Sequence, residues 1–251
     1  MKDWLSAVGK NLKTYILFLS EIKKMFGAIQ KLNNYQQIML IFLMANLSPK
    51  VVTVLEVGFG NLPSLQRVLN QINTDVKIAT NETDILHADH LIIPGVGSFK
   101  TAIDYLVTNN FVPAIRSRCL ERKMPTLGIC LGAQVMLDVG YEGGINSGIG
   151  IFEGTVESLS VNSRTEATHT GWDKTKLLKE FLGYQENTEV DFFFNHDYII
   201  MAKDPKDVYG TCSFENEFAV ALNKFKTFAV QFHPEKSQVF GLKMLKNFLE
   251  I

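Results

Sequence analysis

From residue 51 onward, short and nearly continuous apolar runs alternate with amphipathic stretches. Residues 51–57 are apolar almost throughout, the mark of a strand buried on both faces of a parallel sheet. Residues 62–72 carry helical spacing, 75–79 predict a second strand, and 88–93 a third that ends at Pro94-Gly95-Val96-Gly97. Helices follow over 99–108 and 113–122, then a strand over 126–129 and a helix from Leu131 to about residue 139. This order predicts an α/β fold, a doubly wound and mostly parallel sheet flanked by helices. Past Gly140 the runs become short and alternating, at 154–159, 190–194, 208–212, 218–222 and 227–232. They predict added strands, partly antiparallel, with a short helix near 175–181. The chain closes on an amphipathic helix over 239–249, with Phe240, Leu242, Met244, Leu245 and Phe248 on its apolar side.

The first 48 residues break this pattern. Residues 1–43 read as an amphipathic helix, with Leu5, Leu12, Ile16, Leu19 and Ile22 at near-helical spacing and lysines between them. Residues 1–48 hold six lysines against two acids, whereas the remainder holds 19 basic and 24 acidic residues. We therefore divide the chain into a basic helical extension, 1–48, and a domain, 49–251. The extension fits a secretory signal poorly, because its lysines do not directly precede a long apolar core. A membrane-surface or partner-binding helix is one reading. A dispensable extension, with Met44 as the alternative start, is the preferred one.

Composition narrows the function. The chain has 251 residues, 46% hydrophobic and 20% charged, and a net charge of −1. Nothing in that balance argues for a nucleic-acid binder. No apolar run reaches the roughly 18–20 residues of a membrane span. Three cysteines, Cys119, Cys130 and Cys212, suit free thiols in a reducing compartment, hence the cytoplasm.

Candidate chemistry centres on Gly128-Ile129-Cys130-Leu131-Gly132. This is a nucleophile elbow with cysteine in the serine position, set between a strand and a helix. The Leu131 N–H would point at an oxyanion formed by attack of Cys130 on a carbonyl, and the following helix would favour thiolate. A cysteine nucleophile needs a base, and the base an orienting acid. His233 and Glu235 supply both, at the end of an apolar run. Extended backbone would put them on one face, since residues two apart share a face. No His/Cys/Asp group has metal-ligand spacing, and thiol chemistry needs no cofactor.

The elbow, continued by Ala133-Gln134, and His233-Pro234-Glu235 resemble the class I (triad-type) glutamine amidotransferases. Further stretches resemble the glutaminase subunit of imidazole glycerol phosphate synthase. They are Gly58-Phe59-Gly60-Asn61-Leu62, Pro94-Gly95-Val96-Gly97-Ser98-Phe99, Glu142-Gly143-Gly144, His169-Thr170-Gly171-Trp172, His196-Asp197-Tyr198 and Gln231 through Ser237. The resemblance covers residues 51–251. It implies a Cys130–His233–Glu235 triad that hydrolyses glutamine to glutamate and ammonia. It implies an oxyanion hole from Leu131 and the Val96–Gly97 loop, whose peptide rearranges before the hole is complete. Gly95, Gln134, Glu142, His196 and Asp197 would bind glutamine, with Asp197 where the family has serine. Trp172 and Lys236 would face the partner, a (β/α)8 barrel cyclase subunit that receives the ammonia in a heterodimer. Glu56-Val57-Gly58 and Asp173 depart from the family's Asp-Tyr-Gly and Gly-Trp-Asn. Those departures motivate one alternative, a related glutaminase feeding a sugar amidotransferase of surface-polysaccharide synthesis; a non-catalytic regulatory subunit is a third reading, against which the complete triad argues.

Overall fold

The computed structural model describes residues 50–58, 62–162, 168–214 and 216–251. The helix expected over residues 1–43 and the turn at 59–61 lie outside them. The run at 51–57 forms two strands, β1 (Lys50–Val54) and β2 (Val57–Gly58). β1 has neighbours on both edges, whereas β2 pairs with the end of β4. Helix α1 (Leu62–Gln71) and β3 (Thr74–Ile78) follow as expected. Then comes α2 (Glu82–His87), which the apolar pattern did not predict. It had a polar signal instead: the Asn81 side chain accepts the Asp84 N–H, and Glu82 and Asp84 sit in the first turn. Such a cap satisfies an otherwise unpaired N–H.

β4 (His90–Val96) runs three residues past the expected end, because β2 pairs with Gly95 and Val96. Helix α3 (Phe99–Thr108) matches the pattern; α4 (Phe111–Arg116) starts earlier than expected and opens into a π turn, Ser117–Glu121. That turn carries Arg118, which is fully buried. Its guanidinium donates to the carbonyls of Ile85, Ala88, Asp89 and Pro125 and to Oγ1 of Thr126, at 2.6–3.2 Å. The side chain thus ties α2, the α2–β4 connection and the start of β5 (Thr126–Cys130) together.

The helix after Cys130 is shorter than expected. α5 (Leu131–Gln134) is a single turn, not a helix to residue 139. The backbone N–H groups of Ile149, Gly150 and Ile151 take the carbonyls of Val135, Leu137 and Met136. Those acceptors are therefore withdrawn from a continued helical ladder. The chain then adds β6 (Val139–Gly140), β7 (Asn146–Ser147), β8 (Gly154–Ser158), β9 (His169–Leu177), β10 (Glu189–His196), β11 (Tyr198–Ala202), β12 (Val208–Phe214), β13 (Asn216–Lys224) and β14 (Thr227–Val230). The helix expected near 175–181 is instead the end of β9. Thr175 and Leu177 are buried while Lys174 and Lys176 are exposed, which is period two rather than 3.6. The last helix, α6 (Gln238–Phe248), buries Gly241, Met244, Leu245 and Phe248; Phe240, expected on the same side, is exposed.

The sheet runs β3-β1-β4-β5-β14-β13-β11-β8-β6-β7. β3, β1, β4, β5 and β14 are mutually parallel. The added strands begin with antiparallel β13. Alternate residues of β4 face opposite cores. Leu91 and Ile93 pack with Ile85, Phe99, Leu106 and Ile115, and Ile92 packs with Leu65, Leu69, Met244 and Phe248. Helices therefore cover both faces of the parallel block. Its strands end together at Val96, Cys130 and the segment after Val230, the side on which open α/β sheets bind ligands.

Candidate active site

Cys130 is the last residue of β5, with φ of 52° and ψ of −111°. A non-glycine residue rarely adopts that conformation, and the surrounding packing imposes it. The helix beginning at Leu131 must pass very close to β4 and β5. A methyl on Gly128 would lie 2.8 Å from the Gly132 carbonyl oxygen and 2.9 Å from Cα of Ala133. A methyl on Gly132 would run into the Ile93 carbonyl. Both glycines are thus required by close approach. With α5 only four residues long, the macrodipole expected from a full helix is small, and the local N–H groups after Cys130 supply the positive end.

His233 and Glu235 meet differently from the extended arrangement expected. β14 stops at Val230, and Pro234–Lys236 is a 3₁₀ turn with proline at its start. This turn brings Nδ1 of His233 to 2.9 Å from Oε1 of Glu235, both side chains being almost fully buried. Ser237 pins the turn: its hydroxyl donates to the His233 carbonyl at 2.6 Å and accepts the Phe193 N–H at 3.0 Å. Burial by itself would lower the imidazole pKa. Cys130 and the Glu235 carboxylate outweigh it and raise the His233 pKa to about 10. An imidazole beside a thiol, oriented by a carboxylate, can deliver a nucleophile and then a proton.

Cys130, 5% exposed, forms part of the wall of a cavity of about 480 Å3. Val96, Gly97, Leu131, Gln134, Glu142, His196 and Asp197 line it too, together with Ser98, Thr168, Asn195 and Tyr198. Gly95 does not; it pairs with Val57 and Cys130 inside the sheet. Among the described residues no lysine or arginine lines the cavity, which carries the two carboxylates of Glu142 and Asp197. Burial first, then the carboxylates of Glu142 and Asp197, raise the Tyr198 pKa. Such a wall suits an ammonium-bearing ligand and disfavours a phosphate.

Two of the lining side chains are held from behind. Glu142 accepts the Phe99 N–H at 2.6 Å, which fixes its carboxylate at the start of α3. Gln134 donates to the Tyr198 carbonyl at 2.8 Å and to Oε1 of Gln231 at 3.2 Å. Gln231, fully buried, in turn directs its amide at the Cys130 sulfur, 3.8 Å away. Sequence reasoning missed Gln231 and Ser237 as individuals, although both lie in the quoted stretch around His233. It also missed that His196 meets His169: Nε2 of His196 is 3.1 Å from Nδ1 of His169. Burial first, then the charge of His169, lower the His196 pKa to about 3.

Trp172 and Lys236 lie apart from the cavity lining and share one neighbour. The Trp172 indole, 46% exposed, meets the Phe193 ring edge-on, and the Lys236 ammonium lies 5.5 Å from the centre of the same ring.

The family model described as "Glutamine amidotransferase class-I" matches residues 53–251. A curated protein of Campylobacter jejuni strain 81-176, "Imidazole glycerol phosphate synthase subunit HisH 1", is 39% identical over 202 residues, 80% of this chain and all of that one. "Imidazole glycerol phosphate synthase subunit HisH" of Moorella thermoacetica is 36% identical over 203 residues, 80% of this chain and 94% of its own. Among solved structures, "Crystal structure of glutamine amidotransferase" superposes with a TM-score of 0.62 at 19% identity, covering 79% of this chain and 97% of that one. "Structure of PurLQS from Thermotoga maritima" gives 0.62 at 15% identity, covering 81% and 98%. At those identities the superpositions speak for the fold alone.

Proposed function

The chain belongs to the class-I glutamine amidotransferases, and from that membership we propose that it is the glutaminase subunit of imidazole glycerol phosphate synthase. The observation that carries the reading is the 39% identity to the Campylobacter subunit over that protein's whole length. The two alternatives are not favoured: the curated relatives carry the name of the same synthase, and the nucleophile, base and acid are all present.

In this reading Cys130, as thiolate, attacks the side-chain amide carbon of glutamine. The tetrahedral oxyanion is met by the Leu131 N–H and by the Val96–Gly97 backbone. Gly97, at φ of 112°, follows Val96, so the Val96–Gly97 peptide can turn at its glycine end at little cost. His233, already carrying its proton, gives it to the departing nitrogen, and ammonia leaves. His233 then takes a proton from water as the water attacks the thioester, and glutamate departs with the thiolate restored. Glu235 holds the imidazole and stabilises its charge. Glu142 and Asp197 suit the ammonium of glutamine, with Oε1 of Gln134 as a further acceptor on the same wall beside His196, and the neighbouring backbone N–H groups meet its carboxylate end.

Ammonia free in solution would be lost, so the chemistry belongs in a complex. We assign the acceptor as a (β/α)8 cyclase subunit, docked over Trp172 and Lys236. Among the described residues no helix is long and apolar enough to cross a membrane. Its three free cysteines are consistent with a cytoplasmic enzyme.

The deciding experiment is Cys130→Ala in the reconstituted complex. Glutamine-dependent synthesis should vanish while ammonia-dependent synthesis by the partner persists. Continued glutamine consumption would remove Cys130 as nucleophile, and failure of the cyclase to stimulate wild-type turnover would remove the partner.

A further inference from the structure

Behind His196, on the inner face of β9 and β12, lies a second cluster whose hydrogen-bond donors and acceptors do not balance. The Tyr198 carbonyl can only accept, so Nδ1 of His196, 3.0 Å away, carries a proton and donates. In the neutral, buried imidazole Nε2 is then an acceptor. It takes the proton of His169 Nδ1 across 3.1 Å. His169 is left with a bare lone pair on Nε2. That lone pair faces another acceptor, Oδ2 of Asp173, at 3.2 Å. The Cys212 sulfur lies close by: one ligand atom from each of the three residues falls within 4.8 Å of the others. A single thiol proton satisfies one of these contacts; a cation satisfies all three.

We propose that His169 Nε2, Asp173 Oδ2 and Cys212 Sγ form a binding site for one divalent cation of the zinc class. The donor set decides the class. Imidazole nitrogen with thiolate sulfur selects a borderline-soft ion over magnesium or calcium, which prefer oxygen. Tetrahedral zinc with bonds of about 2.0–2.3 Å spaces its ligands roughly 3.3–3.8 Å apart, so the observed cluster needs small adjustment. On binding, Cys212 releases its proton to solvent and coordinates as thiolate.

The ligands are already oriented. The His169 ring is stacked between Phe194 and Phe214, with centroids 4.4 and 4.2 Å away. Its Nδ1–H donation to His196 is the kind of support that makes a metal-bound imidazole more basic. Oδ1 of Asp173 accepts the Lys174 N–H at 2.7 Å, which turns Oδ2 inward. Four residues of extended strand span about 13 Å, so the 169–173 contact requires β9 to bend; Gly171, at φ of 134°, supplies the bend. Thr175 stands opposite Cys212, and its buried hydroxyl has no partner in the described structure, so it can donate to a thiolate there. The Asp173 side chain is 32% exposed, which leaves room for a water as fourth ligand on the solvent side. Bound there, the cation would clamp β9 to β12 and fix His169, and through it His196 on the glutamine-side cavity wall.

The test uses the untagged full chain carrying Cys130→Ala, so that the other candidate thiol–imidazole site cannot bind metal. Titration with Co2+ alone should saturate at one ion per chain, with intense visible bands of four-coordinate cobalt and a thiolate-to-metal charge-transfer band; Zn2+ should displace it. Cys212→Ser should abolish the charge-transfer band and weaken binding about tenfold or more. Asp173→Asn, at a partly exposed position, should weaken binding comparably, and it decides the matter if the Cys212 variant does not fold. Absence of saturable binding overturns the proposal. So does an unchanged spectrum and affinity in the variants, which would make the cation adventitious.

Discussion

Nδ1 of His233 lies 2.9 Å from Oε1 of Glu235 across a proline-led turn, with both side chains almost wholly out of water. Cys130 first, and then this contact, hold the imidazole in its charged form against burial, with a pKa of about 10 in the folded protein against roughly 6.5 unfolded. A raised folded pKa stabilises the fold fully below about 6.5, and that contribution is lost as the pH climbs through about 10. Denaturant unfolding between pH 6 and 10 should therefore show stability falling with pH. Glu235→Gln should flatten that fall and reduce glutamine turnover by roughly 10³- to 10⁴-fold. Parallel pH profiles for the two proteins would contradict the coupling.

Gly132→Ala should be among the most damaging small substitutions. Its methyl meets the Ile93 carbonyl, backbone that cannot swing aside as a side chain can. We expect a loss of about 1–3 kcal/mol, seen as a lower Tm, and a marked drop in reaction of Cys130 with a glutamine-like electrophile. A variant with wild-type Tm and reactivity would show that the elbow tolerates a wider gap.

Arg118→Met should destabilise without touching the cavity. It removes the donor shared by four backbone carbonyls and Thr126. Leaving buried acceptors unpaired costs about 1–3 kcal/mol each, so a net loss of roughly 3 kcal/mol is expected after relaxation and water entry. Chemical denaturation measures it, and a change under about 0.5 kcal/mol would refute the bracing role.

Trp172→Ala and Lys236→Ala separate docking from chemistry. Both side chains meet the Phe193 ring and lie outside the cavity lining. The variants should label at Cys130 as wild type does, yet bind the cyclase at least about tenfold more weakly, as expected of an aromatic or charged anchor. Unchanged affinity in both would move the interface elsewhere.

Much of this was readable from local pattern. The parallel block announced itself in apolar runs, and α3 at Phe99–Thr108 in its helical spacing. The elbow was legible because a tight turn needs its glycines at fixed offsets. The pattern failed where distant groups compete for backbone. α5 ends after one turn because residues 149–151 take the carbonyls of residues 135–137. The helix expected near 175–181 fails as well: Thr175 and Leu177 are buried and Lys176 exposed, the burial of a strand.

The sequence by itself determined the fold class and pointed to Cys130, His233 and Glu235, because periodicity, turn glycines and a His-x-Glu are properties of neighbours in the chain. The tertiary structure alone decided how those residues meet. His233 and Glu235 come together through a turn rather than along a strand. Gln231 reaches the sulfur of a residue 101 positions away. His169, Asp173, His196 and Cys212 converge from β9, β10 and β12 with no spacing that foretells it. Hydrogen bonds and charges act through space at a few ångströms, and which residues lie that close is settled by strand order and register.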